Sequence, residues 1–226
     1  MINRYRWYRL QLPRSSQSLF SIIEKHQFSK DGKIGFLNLE RIESISKYRF
    51  LWRTEVFVTK FDDDGLPYFE AVESINYFDF ALLEMNKMHF LRIENPPRSI
   101  REFLNILESE VGLGFTSKVV TFEKVKPTSL FSSVDSSRLI GLKVVGAVIG
   151  EDLVGRMEFA SKNGMLISEM KVLDGMKYTV DSAIFELVYQ GLRGQASFNS
   201  NGMVKLSGQL SPKLLNLIEQ DLPTIQ

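Results

Sequence analysis

The chain contains no cysteine and only two histidines, His26 and His89. Without cysteine there is no disulfide framework, no thiolate nucleophile and no thiolate metal ligand. Two histidines supply little material for a catalytic triad or for a histidine-based metal site. These absences remove the commonest residue sets of nucleophilic and metal-dependent catalysis, and we expect neither a metal nor a catalytic centre built on them. The lack of cysteine also fits a reducing compartment.

Long apolar runs are also missing from the sequence. No stretch approaches the roughly 20 apolar residues that a membrane-spanning helix needs, and the first residues lack the apolar centre of a signal peptide. We therefore expect a cytoplasmic protein with no membrane partner. No glycine-rich phosphate-binding loop follows a strand, so no cofactor is expected.

Charge is balanced overall but unevenly distributed. The chain carries 28 Lys and Arg against 27 Asp and Glu, a net charge of +1, which gives no general attraction to nucleic acid. Residues 1–60 hold 12 basic and 5 acidic side chains, whereas residues 61–95 hold 2 and 8. The two segments could neutralise each other in the fold, or the basic one could bind an anionic partner.

A short motif occurs twice in the chain. Asp79–Met85 (DFALLEM) recurs as Asp181–Leu187 (DSAIFEL) at a shift of 102 positions, and Phe57–Lys60 matches Phe159–Lys162 at the same shift. Shorter matches near the ends of each half follow in the same order at shifts of 111 to 115. Because ordered matches at a nearly constant shift indicate an internal repeat, we predict two related halves, residues 1–112 and 113–226.

Apolar periodicity predicts an α+β fold. Each half is predicted as a strand, a helix, three to four antiparallel strands and a final helix, with the helices covering a mostly antiparallel sheet. In the second half, Asn163-Gly164 and Asn201-Gly202 are two-residue hairpin signals. The first of these predicts that residues 165–172 form a strand, and Pro127–Val134 is predicted as a short helix.

This duplicated order resembles the TATA-box-binding-protein fold, a saddle-shaped sheet with helices on one face. The segment Phe198–Val204 followed by a helix is similar to the last hairpin and helix of that family. The resemblance is one of topology. It implies a shape, and it implies DNA binding only by analogy, since the paired phenylalanines that the family inserts into the minor groove have no evident counterparts here.

The basic opening is the candidate nucleic-acid site. Arginines alternate there with aromatic residues, a composition that can pair with phosphates and stack on bases, but one that also keeps an edge strand soluble. A second basic and aromatic group lies on the strand predicted at 48–61. The predicted binding residues are Arg4, Arg6, Trp7, Arg9, Arg14, Arg49, Trp52 and Arg53.

An alternative site rests on three residues of the second half. Asp152 followed by Glu169-Met170-Lys171 is similar to the pattern of restriction-endonuclease-type nucleases, in which two carboxylates hold Mg²⁺ and a lysine on the same strand positions water. Charged residues also alternate on most half-exposed strands, which is the competing interpretation of these residues. We expect Glu169 and Lys171 to be dispensable for any activity.

Three functions therefore stay open. The leading prediction is a non-catalytic binding or scaffolding subunit that engages nucleic acid or a nucleoprotein through its first half. The alternatives are a metal-dependent nuclease centred on Asp152, Glu169 and Lys171, and a protein-interaction subunit of a larger assembly, such as a prokaryotic defence complex. A protein partner or a homo-oligomer is expected under the first and third.

Overall fold

A computed structural model of the 226-residue chain describes residues 2–13, 19–42, 45–123, 132–149 and 153–225. Strands make up 55% of this structure. The described strands are β1 (Ile2–Gln11), β2 (Ile34–Ile42), β3 (Ile45–Phe61), β4 (Pro67–Met85), β5 (Met88–Glu94), β6 (Thr116–Val119), β7 (Ser136–Ile149), β8 (Leu153–Ala160), β9 (Thr179–Tyr189), β10 (Leu192–Asn199) and β11 (Met203–Gly208). The described α-helices are α1 (Leu19–Lys25), α2 (Arg101–Val111) and α3 (Ser211–Asp221).

The chain forms two compact units. One unit, here called the ribbon unit, comprises Arg9–Ser117, and the other, the terminal unit, comprises Met1–Tyr8 and Lys118–Gln226. The first strand therefore contributes most of its residues to the unit that contains the C-terminus. The superposition of residues 1–112 on 113–226 stays a prediction.

The core of the ribbon unit is a cluster of phenylalanines under one helix. Strands β2, β3, β4 and β5 are neighbours in that order and all pair antiparallel. Alternate residues of β3 and β4 place Phe50, Phe78 and Phe80 on one face, where α2 covers them with Phe103. The Phe103 ring is fully buried and meets the other three rings edge-on, at centroid distances of 4.9 to 5.3 Å.

The terminal unit is built in the same way around its own helix. Its strands lie in the order β1-β11-β10-β9-β7-β8, each pair antiparallel. Helix α3 buries Leu214 and Ile218 completely. Trp7 of β1 is also fully buried, and its indole N–H donates to the Glu219 Oε1 of α3 at 3.2 Å. A tryptophan on the first strand thus serves as a core anchor for the last helix.

Of the two predicted Asn-Gly hairpins, one is present, with a loop of three residues (200–202) where two were predicted, and the other is wrong. Asn201-Gly202 lies in the turn between β10 and β11, with Gly202 at φ 78°. After Asn163-Gly164, however, the Met165 N–H donates to the Leu139 carbonyl of β7, so the chain does not fold back on β8. Residues 165–172 contain two short 3-10 helices instead of the predicted strand.

The predicted fold class is also wrong. The expected β-α-β(3-4)-α halves covered by helices are replaced by a sheet-dominated fold with only three short α-helices among the described residues. The physical reason lies in strand length: β3 and β4 contain 17 and 19 residues, far more than an 11-residue helix of about 16 Å can cover. Most of the helix predicted at Pro127–Val134 lies outside the described residues, and the architecture gives no support to the TATA-box-binding-protein resemblance.

None of the described helices is both long and apolar enough to cross a membrane.

Candidate interaction surface

The most unusual feature of the ribbon unit is the far end of the β3–β4 hairpin. We call residues 55–73 the outer ribbon: the second half of β3, the connecting turn and the first half of β4. Every one of these residues is exposed except Glu70, which is half-buried. The outer part of β3 extends about 20 Å past the last covered residues at roughly 3.3 Å per residue. This segment is therefore a two-stranded arm with solvent on both faces.

The sequence explains why the arm forms. Its strands pair in continuous register, from Glu55 opposite Glu73 to Phe61 opposite Pro67, and they are rich in aromatic and β-branched residues. The turn is stabilised by Asp62, whose Oδ1 accepts hydrogen bonds from the N–H groups of Asp64 and Leu66. Gly65 adopts φ 78°, a left-handed conformation that favours glycine. Residues Asp62–Gly65 therefore form the hairpin turn between β3 and β4.

Three phenylalanines share one face of the arm. The pairs Phe57–Ala71, Thr59–Phe69 and Phe61–Pro67 are directly opposite in the ladder, so their side chains all lie on the same side. Phe57, Phe61 and Phe69 are 69%, 67% and 74% exposed. We call this side the aromatic face. At roughly 200 Å² per aromatic side chain, these three residues leave about 400 Å² of ring surface in water.

The opposite side is also apolar, and both edges of the arm are open. Val56 lies opposite Val72 on this second face, and a Lys60–Glu70 ion pair of 2.5 Å closes its outer end. Strand β2 pairs with β3 only as far as Trp52, and β5 pairs with β4 only from Asp79 onward. The outer ribbon therefore has no strand neighbour among the residues that the structure describes. Long apolar edges of this kind promote association with another chain.

The arm is strongly acidic. It contains one basic residue, Lys60, and six acidic residues, which gives a charge of −5. The rest of the chain must then carry +6, because the total is +1. The acidic residues are Glu55, Asp62, Asp63, Asp64, Glu70 and Glu73.

At the base of the arm, two predicted nucleic-acid residues are engaged within the fold. The Arg49 guanidinium donates to both carboxylate oxygens of Asp79, at 2.6 and 2.9 Å, and lies over the Tyr77 ring. This hydrogen bonding raises the pKa of Arg49 above its ordinary value. Arg53 forms an ion pair with Glu73 and donates to two backbone carbonyls of the 30–32 loop. Both arginines therefore hold local structure together.

The other predicted nucleic-acid residues are dispersed. Trp52 is half-buried and stacks on Phe50 at 5.7 Å, and Trp7 is buried under α3, where its ring has no access to a base. Arg4 is exposed and Arg6 is half-buried in the terminal unit, whereas the exposed Arg9 belongs to the ribbon unit. Arg14 lies outside the described residues.

The alternative nuclease residues are not assembled on one strand. Glu169 ends the 3-10 helix Ile167–Glu169, and Lys171 begins the next one, Lys171–Leu173. Asp152 lies outside the described residues. Within the described ranges, no group of three or more His, Asp or Glu side chains could hold a metal ion.

The two copies of the repeated motif occupy the same type of element. Asp79 lies on β4 and pairs with Arg49 of the adjacent β3; Asp181 lies on β9 and pairs with Lys143 of the adjacent β7 at 3.0 Å. Hydrogen bonds from Lys143 and Ser200 lower the pKa of Asp181 below its ordinary value. Each motif thus places an aspartate on a strand, where it forms an ion pair with a basic side chain of the neighbouring strand.

Comparison with known protein families found no family model that matches the chain, and comparison with curated proteins found no match. Sequence reasoning missed the three phenylalanines of the aromatic face. The signal in the sequence was the run of aromatic and β-branched residues on each side of Asp62–Gly65. In the structure, the resulting strands of 17 and 19 residues extend beyond their neighbours of 9 and 7.

Proposed function

We propose that this protein is a non-catalytic interaction subunit that docks on a protein partner through the outer ribbon. The observation that carries the proposal is the aromatic face, where three phenylalanines remain about two-thirds to three-quarters exposed. With its valines and turn residues, the arm approaches the roughly 800 Å² that one partner buries in a standard protein interface. A monomer that kept this surface in water would be prone to aggregate.

The charge of the arm favours a protein partner over other macromolecules. Nucleic acid and anionic lipid headgroups would both be repelled by a net charge of −5. A protein surface that combines an apolar strip with basic residues satisfies both properties of the arm. Aromatic residues surrounded by charged ones are also the usual anchors of protein interfaces.

Nucleic-acid binding is a second candidate, favoured by one observation on the terminal unit. Arg4 of β1 lies directly opposite Lys205 of β11, and both side chains are exposed. Lys205 in turn lies opposite Ser197 of β10. Two adjacent cations beside a polar neighbour can contact phosphates without reading sequence. No described residue adds support to the nuclease alternative.

The docking proposal is tested by photocrosslinking in the native cell. A benzophenone amino acid at position 69 preserves aromatic character at the tip of the arm. The matched control places it at Leu113, which is fully exposed but lies outside the arm. We expect a discrete protein crosslinked from position 69 and not from position 113. That protein, purified and titrated, should bind wild type at least about tenfold more tightly than Phe57→Ser/Phe69→Ser. Equal crosslinking from both positions, or equal binding, contradicts the proposal.

The nucleic-acid candidate has its own measurement. Fluorescence anisotropy with single- and double-stranded DNA and RNA should show salt-dependent binding to all sequences alike. Arg4→Ala/Lys205→Ala should lower the slope of log affinity against log salt by about two, because each removed cation leaves one phosphate without its charge partner. Gln195→Ala, an uncharged change on β10, is the control. Absence of binding at low salt eliminates this candidate.

A further inference from the structure

We propose that the partner of the outer ribbon is a second copy of this chain, and that the arm docks on the open edge of β8 in that copy. This inference rests on the proposed function and names the partner. The contact would join unlike surfaces, an acidic aromatic arm and an apolar edge of the basic terminal unit, and not two identical arms.

The charges of the two surfaces favour this contact. The outer ribbon carries −5, whereas the terminal unit, with 14 basic and 11 acidic residues, carries +3. An arm approaching the terminal unit of a second copy is therefore attracted. An arm approaching another arm brings two charges of −5 together, which disfavours a symmetric arm-to-arm dimer.

The position of β8 in the sheet also favours this contact. This strand ends the sheet order of the terminal unit and pairs only with β7, so its other edge is open among the described residues. Val154 of β8 is 66% exposed and lies opposite Val148 of β7, which is 42% exposed. Arg156 and Glu158, the next two residues on the same face, are both exposed, so the edge itself has no net charge. The edge thus offers an apolar pair beside a cation, together with unpaired backbone groups.

The competing edge of the ribbon unit is less available. Strand β2 ends that unit's sheet order and exposes Leu39. Part of its outer edge is already occupied, because the Phe36 N–H donates to the His26 carbonyl and the Phe36 carbonyl accepts from the Phe28 N–H. Strand β8 shows no such cover among the described residues, so its edge is the better docking site for the arm.

The mode of binding follows from the two surfaces. The outer ribbon has open edges, so one of its strands can extend the sheet of the second copy by pairing with β8. Its aromatic face would then lie against the Val148–Val154 pair, and its acidic residues beside Arg156. Because the outer ribbon and the β8 edge are different surfaces, two copies can exchange arms in a closed dimer, or successive copies can bind one after another in a larger assembly.

Complementation between two defective variants tests this arrangement. Phe57→Ser/Phe69→Ser removes the arm's anchors, and Val154→Glu places an acid in the acceptor edge. All three substituted side chains are at least 66% exposed, so we expect an unchanged circular dichroism spectrum and, at concentrations where wild type is monomeric, an unchanged melting temperature. Leu113→Ser is the control for loss of exposed apolar surface, and Leu39→Glu is the control for the β2 edge.

We expect sedimentation to show that wild type, Leu113→Ser and Leu39→Glu all self-associate. The arm variant and the edge variant, each measured alone, should self-associate at least about tenfold more weakly. An equimolar mixture of these two variants should form a heterodimer, because the intact arm of one meets the intact edge of the other. A monomeric wild type overturns the inference, as does association that Val154→Glu leaves unchanged or that Leu39→Glu abolishes. Failure of the mixture to associate indicates an arm-to-arm contact and also overturns it.

Disulfide trapping supplies a second readout, which does not require a substitution that weakens the contact. Because the chain has no cysteine, Phe69→Cys and Val154→Cys each introduce one thiol. Oxidation of the mixture should produce a Phe69→Cys/Val154→Cys dimer well above the yield from mixing Phe69→Cys with Leu39→Cys, and equal yields contradict the contact. A monomeric wild type that still crosslinks a different protein from position 69 would refute this inference while leaving the docking proposal intact.

Discussion

The inner and outer halves of the β3–β4 hairpin have similar sequences and opposite environments. Phe50, Phe78 and Phe80 of the inner half are buried beneath Phe103 of α2. Phe57 and Phe69 of the outer half belong to the same two strands and stand in water. The difference lies in what covers each face. Helix α2 covers the face that carries Phe50 and Phe78, whereas alternation along the continuous ladder places Phe57 and Phe69 on the opposite face. Burial in the ribbon unit explains the inner aromatics, but it gives no reason for the outer ones, and this is why we propose that a partner covers them.

The largest effect that distinguishes the two halves should be on stability. Phe103→Ala removes a ring that contacts three others in a fully buried site, and it should lower the free energy of unfolding by about 3–5 kcal/mol. Phe69→Ala should change it by less than about 0.5 kcal/mol in monomeric protein, because the ring is exposed. Thermal and urea unfolding at low protein concentration measure both. A destabilisation by Phe69→Ala that matches that of Phe103→Ala would show that the arm is part of the fold's core.

Ion pairs should follow the same division with smaller magnitudes. The Arg49–Asp79 pair of the inner half makes two hydrogen bonds with side chains about one-third exposed, so Asp79→Asn should cost about 0.5–1 kcal/mol after allowance for solvent screening. The Lys60–Glu70 pair on the arm is nearly half exposed, and Glu70→Gln should have almost no effect. Urea unfolding midpoints at low and moderate salt measure the effects of Asp79→Asn and Glu70→Gln. Equal losses of stability in the two variants would contradict the difference between the inner and outer halves of the hairpin.

The repeated motif allows a pH test outside the hairpin, with the smallest expected effect. Because Lys143 and Ser200 lower the pKa of Asp181 below 3.8, its contribution to stability is complete above that pH and is lost as pH falls through the lowered pKa. Asp181→Asn should therefore reduce stability at neutral pH and flatten the acid limb of the stability curve. Burial raises the pKa of Asp221, so the charged form of Asp221 destabilises the fold, and Asp221→Asn should increase stability at neutral pH. Identical pH profiles for both variants would refute these assignments.

Local chemistry made part of this fold predictable. Amphipathic spacing locates α2 and α3, because one apolar face of a helix shows directly in sequence. The Asp62–Gly65 turn and the Asn201-Gly202 hairpin follow from residues that favour those backbone conformations. The same dipeptide at Asn163-Gly164 gives no hairpin, since backbone hydrogen bonds to β7 take the chain elsewhere.

The candidate surface was much less predictable than the elements that form it. Alternation in a strand identifies two faces, but it does not say whether either is covered. That information comes from residues distant in sequence: Phe103 covers the inner half of the β3–β4 hairpin, and α3 covers Trp7. Alternation along β1 places Trp7 on the opposite face from Arg4, which agrees with its burial, yet nothing local indicates that Glu219 accepts its hydrogen bond.

Hydrogen–deuterium exchange as a function of protein concentration tests most directly whether another copy covers the outer ribbon. Amides of residues 55–61 and 67–73 should exchange more slowly as concentration rises, together with those of β8, while amides of α2 stay constant. The Phe57→Ser/Phe69→Ser variant should need a protein concentration at least about tenfold higher to show the same change. Rates for the outer ribbon that are the same in dilute and concentrated wild-type protein would contradict the account.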